Sequence, residues 1–168
     1  MSLMLSLLLA AAPTTAPANA AQTGPKYDQP VPAGKVSTAN PHSITAYLQK
    51  EGYRAKLVTD EETPHIESAA NGAKFYIYLQ NCKEKKDCQD VMFQSSYDKK
   101  AEDPIKVDAI NQFNADNRWA RAYIDKDGDP VLEYDVLFTD QLVDEKMFGE
   151  ALAIWSNSLG LFHKAIDF

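Results

Sequence analysis

The feature that most constrains the fold is a succession of short strand-like runs joined by tight turns. The clearest run covers residues 74–80, where apolar and more polar side chains alternate and one face is formed by Phe75, Ile77 and Leu79. Such alternation is typical of a strand that buries one face. The Asn71-Gly72 pair just before it is typical of a two-residue hairpin turn. Because consecutive strands with short turns pair antiparallel, the region predicts an antiparallel meander.

Extended along the chain, the same patterns predict the element order α-β-β-β-β-α-β-β-α. Helices are expected from Ser43 to Gly52, from Pro104 to Asn117 and from Asp144 to the C-terminus. Strands are expected over residues 54–59, 64–70, 74–80, 90–97, 119–124 and 131–138. The fold class that follows is α+β, a mainly antiparallel sheet with helices packed on one face.

The N-terminus has the pattern of an export signal. The first 25 residues carry no charge, an apolar block runs from Leu3 to Ala12, and small residues follow it. This predicts a signal peptide over residues 1–20, cut between Ala20 and Ala21, then a flexible Pro/Gly/Thr/Ala linker over 21–41 and a single domain over 42–168. The block is too short to be a permanent anchor, since a span needs about 20 apolar residues. The first basic residue is Lys26, so an uncleaved Ala/Pro-rich tail is the alternative.

The two cysteines agree with export to the periplasm or the exterior. Cys82 and Cys88 flank a short, mostly charged segment between two strand-like runs. In an exported protein this arrangement predicts a disulfide. A redox-active pair normally has two intervening residues, and a zinc site needs about four ligands.

The charge balance limits the classes of partner. The formal net charge is −7, and the chain has no extended basic patch. Such a chain lacks the electrostatic footprint of a nucleic-acid-binding protein and the polybasic face that binds anionic lipid. The expected partner is therefore a protein, either a second copy of this chain or a periplasmic protein.

The residues that could carry chemistry are weighed against simpler roles. The acidic residues between the last two strands lack the Gly and Glu positions of a calcium-binding loop and favour a hairpin turn: Asp125, Asp127 and Asp129. The histidines show no metal-ligand spacing and are read as surface or structural: His42, His65 and His163. Glu133 and Asp135 share one face of a strand and are read as a solvated face rather than an acid–base pair. We therefore expect no enzyme activity, no metal and no cofactor.

Two apolar features are candidate partner surfaces. One is the sheet face opposite the core, to which the pattern assigns Tyr76, Tyr78 and Tyr134. The other is the flank of the last helix, whose apolar stripe is widened by Met147, Ile154 and Leu161. A well-covered core helix is the simpler reading of the second feature, whereas exposed apolar patches usually have partners.

Several segments taken together resemble a known family. They are Gly52-Tyr53, Ile66-Glu67-Ser68, Phe75-Tyr76-Ile77, the Cys82/Cys88 turn, the run from Asn114 to Tyr123, and Val131-Leu132-Glu133-Tyr134-Asp135. This pattern resembles the YbjN-domain family, also labelled bacterial sensory transduction regulators, from about Pro41 to Phe168. The resemblance implies a fold similar to type III secretion chaperones, which bind other proteins and often dimerise. It supplies no catalytic residues.

The expected function is a non-enzymatic, exported, protein-binding or chaperone-like module of the YbjN type. The alternative is an envelope sensory or stress-signalling component that binds a small ligand. A hydrolase built on scattered carboxylates is a third reading, which would require a pocket with converging carboxylates.

Overall fold

The computed structural model describes residues 27–59, 64–83, 87–98 and 104–168. The helices are α1 (Pro41–Lys50), α2 (Val107–Asp116) and α3 (Glu145–Ala165). The strands are β1 (Lys35–Ser37), β2 (Ala55–Val58), β3 (His65–Ala70), β4 (Ala73–Gln80), β5 (Asp90–Ser96), β6 (Arg121–Ile124), β7 (Pro130–Leu137) and β8 (Leu142–Asp144). The predicted signal peptide and residues 21–26 of the predicted linker lie outside the described residues.

Six of these strands form one antiparallel sheet in the order β2-β3-β4-β5-β7-β6. The β3–β4 hairpin turns at Asn71 and Gly72, whose φ angles of 51° and 83° are both positive. Two successive positive φ angles are characteristic of a type I′ hairpin turn, whose twist matches the strands that it joins. The Asn71 side chain also donates a hydrogen bond to the Ser156 carbonyl at 2.6 Å, which fixes the turn against α3.

The core lies between one face of this sheet and the helices. Trp155 of α3 is fully buried, with its ring 5.8 Å from that of Phe75 and 5.6 Å from that of Phe93. The large buried apolar residues of α1, α2 and α3 belong to the same hydrophobic cluster. The predicted α+β class, with a mainly antiparallel sheet and helices on one face, is confirmed.

A small second sheet, pairing β1 with β8, was not predicted. It draws part of the predicted linker into the domain: Val36 is buried in the core, and the Thr38 hydroxyl donates a 2.6 Å hydrogen bond to the Cys88 carbonyl. The first strand of the fold therefore lies within the residues predicted to form the linker. A three-residue strand is too short for an alternation pattern, and its partner lies about a hundred residues away in sequence.

The helix starts also differ from those expected. Helix α1 begins at Pro41 rather than Ser43, because proline suits the first helical position. The Ser43 hydroxyl instead accepts the Ser37 amide hydrogen and donates to the Asn40 carbonyl, which connects β1 to α1. Helix α2 begins at Val107, after Pro104.

Cys82 and Cys88 form a disulfide, as predicted. It closes a short loop between β4 and β5, and the Cys88 sulfur side chain is buried. On the chain-entropy model, closing so short a loop stabilises the fold by about 2 kcal/mol. None of the described helices is long and apolar enough to span a bilayer.

Side-chain amides from two helices occupy the outer edges of the large sheet. Asn114 of α2 pairs with Ala122 of β6, accepting its amide hydrogen and donating to its carbonyl, both at 2.9 Å. At the opposite edge, Gln49 of α1 donates to the Ala55 carbonyl of β2 at 2.9 Å. Unpaired edge groups are templates for aggregation, and these contacts remove some of them.

We expect Asn114→Ala to lower the unfolding free energy by about 2 kcal/mol, because it leaves the backbone of the buried residue Ala122 unpaired. Asn111→Ala is the matched control, since Asn111 is exposed on the same helix. That control should gain up to about 0.5 kcal/mol from helix propensity. Urea unfolding of both variants measures the difference, and equal stability would show that the edge contact contributes nothing.

Candidate functional site

The candidate site is the sheet face opposite the core, here called the outer face. Strand register places one residue from each of the six strands in a row across it: Lys56, Glu67, Tyr76, Gln94, Glu133 and Arg121. The row alternates with the core positions because neighbouring residues of a strand point to opposite faces. Among the described residues no helix covers this face, because the helices pack against the other one.

Glu133 is the centre of a hydrogen-bonded network on the outer face. Its carboxylate accepts hydrogen bonds from Gln94 at 2.8 Å and from the Tyr123 hydroxyl at 2.7 Å, and it forms an ion pair with Arg121. Glu133 is only 4% exposed, whereas most of the Arg121 side chain faces solvent. We call these four residues the Glu133 cluster.

The network sets the protonation of its members. Burial acts to raise the pKa of Glu133, but hydrogen bonds from Tyr123, Gln94 and Arg121 outweigh it and hold this pKa below its ordinary value. Burial and the hydrogen bond to Glu133 raise the pKa of Tyr123 to about 12. Glu133 is therefore a charged acceptor whose hydrogen-bonding capacity is used by its neighbours. Its lowered pKa is the opposite of the raised pKa that a carboxyl group needs to act as a general acid.

The expectation that Glu133 belongs to a solvated face is wrong, since it is buried. One signal in the sequence could have indicated this burial. Arg121 and Tyr123 are two residues apart on a short strand, so they share one face and can both bind a carboxylate on the neighbouring strand. Asp135, two residues further along β7, is exposed as expected. Partial desolvation of its carboxylate by the neighbouring strands, together with the negative charges of Asp90 and Glu133, raises the pKa of Asp135.

An aromatic patch lies beside the Glu133 cluster and consists of His65, Tyr76 and Tyr78. The two tyrosine rings stack with centroids 5.8 Å apart, and the His65 ring lies 5.7 Å and 5.4 Å from them. Both tyrosines are half-buried on the outer face, where the sequence placed them. Of the two roles that the sequence leaves open for His65, surface or structural, the structure shows the second, since His65 is only 5% exposed.

Tyr134 does not belong to this surface. It pairs across strands with Phe93, and the two ring centroids are 6.2 Å apart on the core face. The prediction placed Tyr134 with the other tyrosines because the register of β7 against β5 cannot be read from the sequence. A shift of one residue moves every side chain to the opposite face.

The candidate residues on α3 lie along its outer flank. Met147 is 63% exposed and Leu161 is 37% exposed, while Ile154 is half-buried between them. They are seven residues apart in sequence and so share one side of the helix. They lie on the helix layer and are separate from the outer face of the sheet.

The other titratable residues have structural surroundings. The Asp125 carboxylate accepts the amide hydrogens of Asp127 and Asp129, as in a turn. His163 Nε2 is 2.8 Å from the hydroxyl of the buried residue Tyr97, and burial lowers the pKa of His163. Within the described residues, no group of three or more His, Cys, Asp and Glu side chains is arranged to hold a metal.

A shallow cleft of about 300 Å³ opens on the outer face over β2, β3 and β4. Its lining includes Arg54, Lys56, Glu67, Lys74 and Tyr76. Tyr76 therefore connects the cleft to the aromatic patch.

We expect Glu133→Gln to lower the unfolding free energy by about 2 kcal/mol at neutral pH, because it weakens charged hydrogen bonds in a buried network. Since the folded state lowers the pKa of Glu133, its stabilisation is present above the unfolded pKa of about 4.3 and is lost as the pH falls through the lower folded value. Urea unfolding at neutral pH and near pH ~3 should therefore show the difference between wild type and variant narrowing in acid.

Glu67→Gln is the matched control, because Glu67 lies in the same cross-sheet row but is exposed. Its unfolding free energy should stay within about 0.5 kcal/mol of wild type. An equal loss in both variants would contradict a special role for the buried carboxylate.

Comparison with known proteins identifies the family of this chain. The model of the YbjN family, described as "Putative bacterial sensory transduction regulator", matches residues 40–168. No curated protein and no solved structure matches the chain significantly.

Proposed function

The chain belongs to the YbjN family, and we propose that it is a non-enzymatic module of this type that works outside the cytoplasm and binds another protein through the outer face of its sheet. The observation that carries the proposal is the pair of half-buried tyrosines, Tyr76 and Tyr78, on a face that no described helix covers. Tyrosine is enriched at protein interfaces because it combines a large apolar ring with a polar hydroxyl.

The Glu133 cluster supports a binding role because its contacts connect side chains of three neighbouring strands on the outer face. Three side chains from β5 and β6 are tied to one carboxylate of β7. A preorganised surface loses less side-chain freedom on association, which favours affinity. The lowered pKa of Glu133 agrees with a structural carboxylate and gives no support to the hydrolase alternative.

Export is proposed on two features of the sequence. The uncharged N-terminal segment has the pattern of a cleaved leader. The Cys82–Cys88 disulfide is the kind of bond that persists in oxidising compartments.

A second candidate function is that of a sensory component that binds a small ligand. The cleft over β2, β3 and β4 favours it, because its volume of about 300 Å³ is at the lower end of ligand pockets. A thermal-shift screen tests this function, since a ligand that binds only the folded state must raise its stability.

Site-specific photo-crosslinking in the periplasm tests the main proposal. A crosslinking amino acid at Tyr76 or Tyr78 should capture a defined protein, while the same amino acid at Gln112, exposed on α2, should not. A product of twice the protomer mass would identify a second copy as the partner. If the crosslinking amino acid captures a protein only from Met147 and Leu161, the interface lies on α3 and the proposal is contradicted.

Export has its own test on protein isolated from the periplasm or medium. We expect the mature N-terminus at Ala21 by mass spectrometry, with Cys82 and Cys88 resistant to a thiol reagent until they are reduced. Intact protein in the cytosol that still retains residues 1–20 would contradict export.

A further inference from the structure

The cleft on the outer face is basic, although the protein as a whole is acidic. Three cationic side chains line it, Arg54, Lys56 and Lys74, against one carboxylate, Glu67. The whole chain carries a formal net charge of −7. The charge of this basic cleft is therefore opposite in sign to the net charge of the chain.

Register explains the shape of the basic cleft. Ala69 pairs directly with Lys74 on β4, and Arg54 precedes Ala55, which pairs with Ser68. Ala69 is exposed on the outer face, so its methyl group forms a floor between longer side chains. Because neighbouring strands are about 4.8 Å apart, the backbones that carry Arg54 and Lys74 are separated by about 10 Å. That spacing admits one extended side chain between two cations.

The cations of the basic cleft have no ion-pair partner among the described residues. In the part of the chain that the structure describes, Arg54, Lys56 and Lys74 form no salt bridge. Elsewhere several cations do so, among them Lys50 with Glu145 at 2.8 Å. Three exposed positive charges beside an aromatic ring are suited to an anionic group that is attached to an apolar one.

We propose that the basic cleft binds an acidic segment of the partner protein, with a carboxylate between Arg54 and Lys74 and a neighbouring apolar side chain against Tyr76. The proposal rests on the proposed function, because it specifies the chemistry of the protein that binds the outer face. A protein segment is favoured over a free anion because the cleft is shallow and continues into the aromatic patch, which offers it further apolar contact.

The remaining charge of the outer face favours one direction of docking. Asp135 is exposed on β7, at the other side of the face, and the charge of Glu133 is already paired with Arg121. An acidic segment is repelled near Asp135 and attracted near the basic cleft. Such complementarity fixes orientation and speeds association, and salt screens it.

Fluorescence anisotropy with short labelled peptides tests the proposal directly. A peptide of alternating Glu and Leu should bind the full-length mature protein at low salt, and peptides with Gln or Lys in place of Glu should bind at least about tenfold more weakly. Lys74→Glu should weaken binding of the acidic peptide by about tenfold or more. Lys146→Glu makes the same charge change on an exposed position of α3 and should leave binding unchanged.

A second pair of variants tests the shape of the cleft without changing charge. Ala69→Leu fills the floor and should weaken the acidic peptide, whereas Ala115→Leu, at an exposed position of α2, should not. Circular dichroism and thermal unfolding confirm that each variant is folded before its binding is measured.

The contrary outcomes are distinct. Equal binding of the acidic and basic peptides, or an unchanged affinity in Lys74→Glu, overturns the proposal. Citrate or phosphate that binds as tightly as the peptide shows a small-anion site and overturns it as well. If the acidic peptide does not bind while crosslinking from Tyr78 still captures a protein, the outer face remains the interface. That result overturns the acidic segment as the occupant of the basic cleft.

Discussion

The packing of α3 against the centre of the sheet is the interaction on which the other features depend. Trp155 and Phe148 lie against Phe93 of β5, with ring centroids 5.6 Å and 5.9 Å from it. Loss of one such large aromatic side chain from a core typically costs about 3–5 kcal/mol. Because α1 and α2 bury their apolar residues in the same cluster, the helix layer is concentrated on one side of the sheet. The other face is then stabilised by different means.

On that other face, polar and aromatic contacts replace apolar burial. Glu133 is desolvated, and its charge is tolerated because hydrogen bonds from Gln94, Tyr123 and Arg121 compensate for the loss of water. The aromatic patch fills the neighbouring surface with stacked rings. An ordered surface of this kind is what the proposed binding function requires.

The sequence predicted those parts of the fold whose signals are local. The strand at residues 74–80, the Asn71-Gly72 turn, the disulfide and the three helices follow from spacing and turn chemistry, and each is present. The placement of β7 beside β5, with β6 at the edge, is a choice between distant pairings that local patterns do not contain. That choice determines which side of β7 faces the core.

The errors at the candidate site have the same origin. Tyr134 and Glu133 are adjacent in one strand and therefore point to opposite faces, and the register against β5 determines that Tyr134 is the one on the core face. A carboxylate in an acidic chain is expected in water, so the burial of Glu133 could be foreseen only by pairing Arg121 with it across strands. The β1–β8 pair was missed because each strand is three residues long. Tyr76 and Tyr78 were placed on the outer face because their strand is long enough for its alternation to be unambiguous.

The amides of Asn114 and Gln49 at the two borders of the sheet bear on how a partner can be recognised. An incoming polypeptide that joined the sheet as an extra strand would need the main-chain groups of Ala122 or the carbonyl of Ala55, and these are already engaged. Strand addition tolerates many sequences, since its bonds are made by backbone atoms common to all of them. A partner that lies across the outer face of the sheet contacts side chains instead. Its selection therefore depends on which side chains it carries and not only on its having an extended conformation.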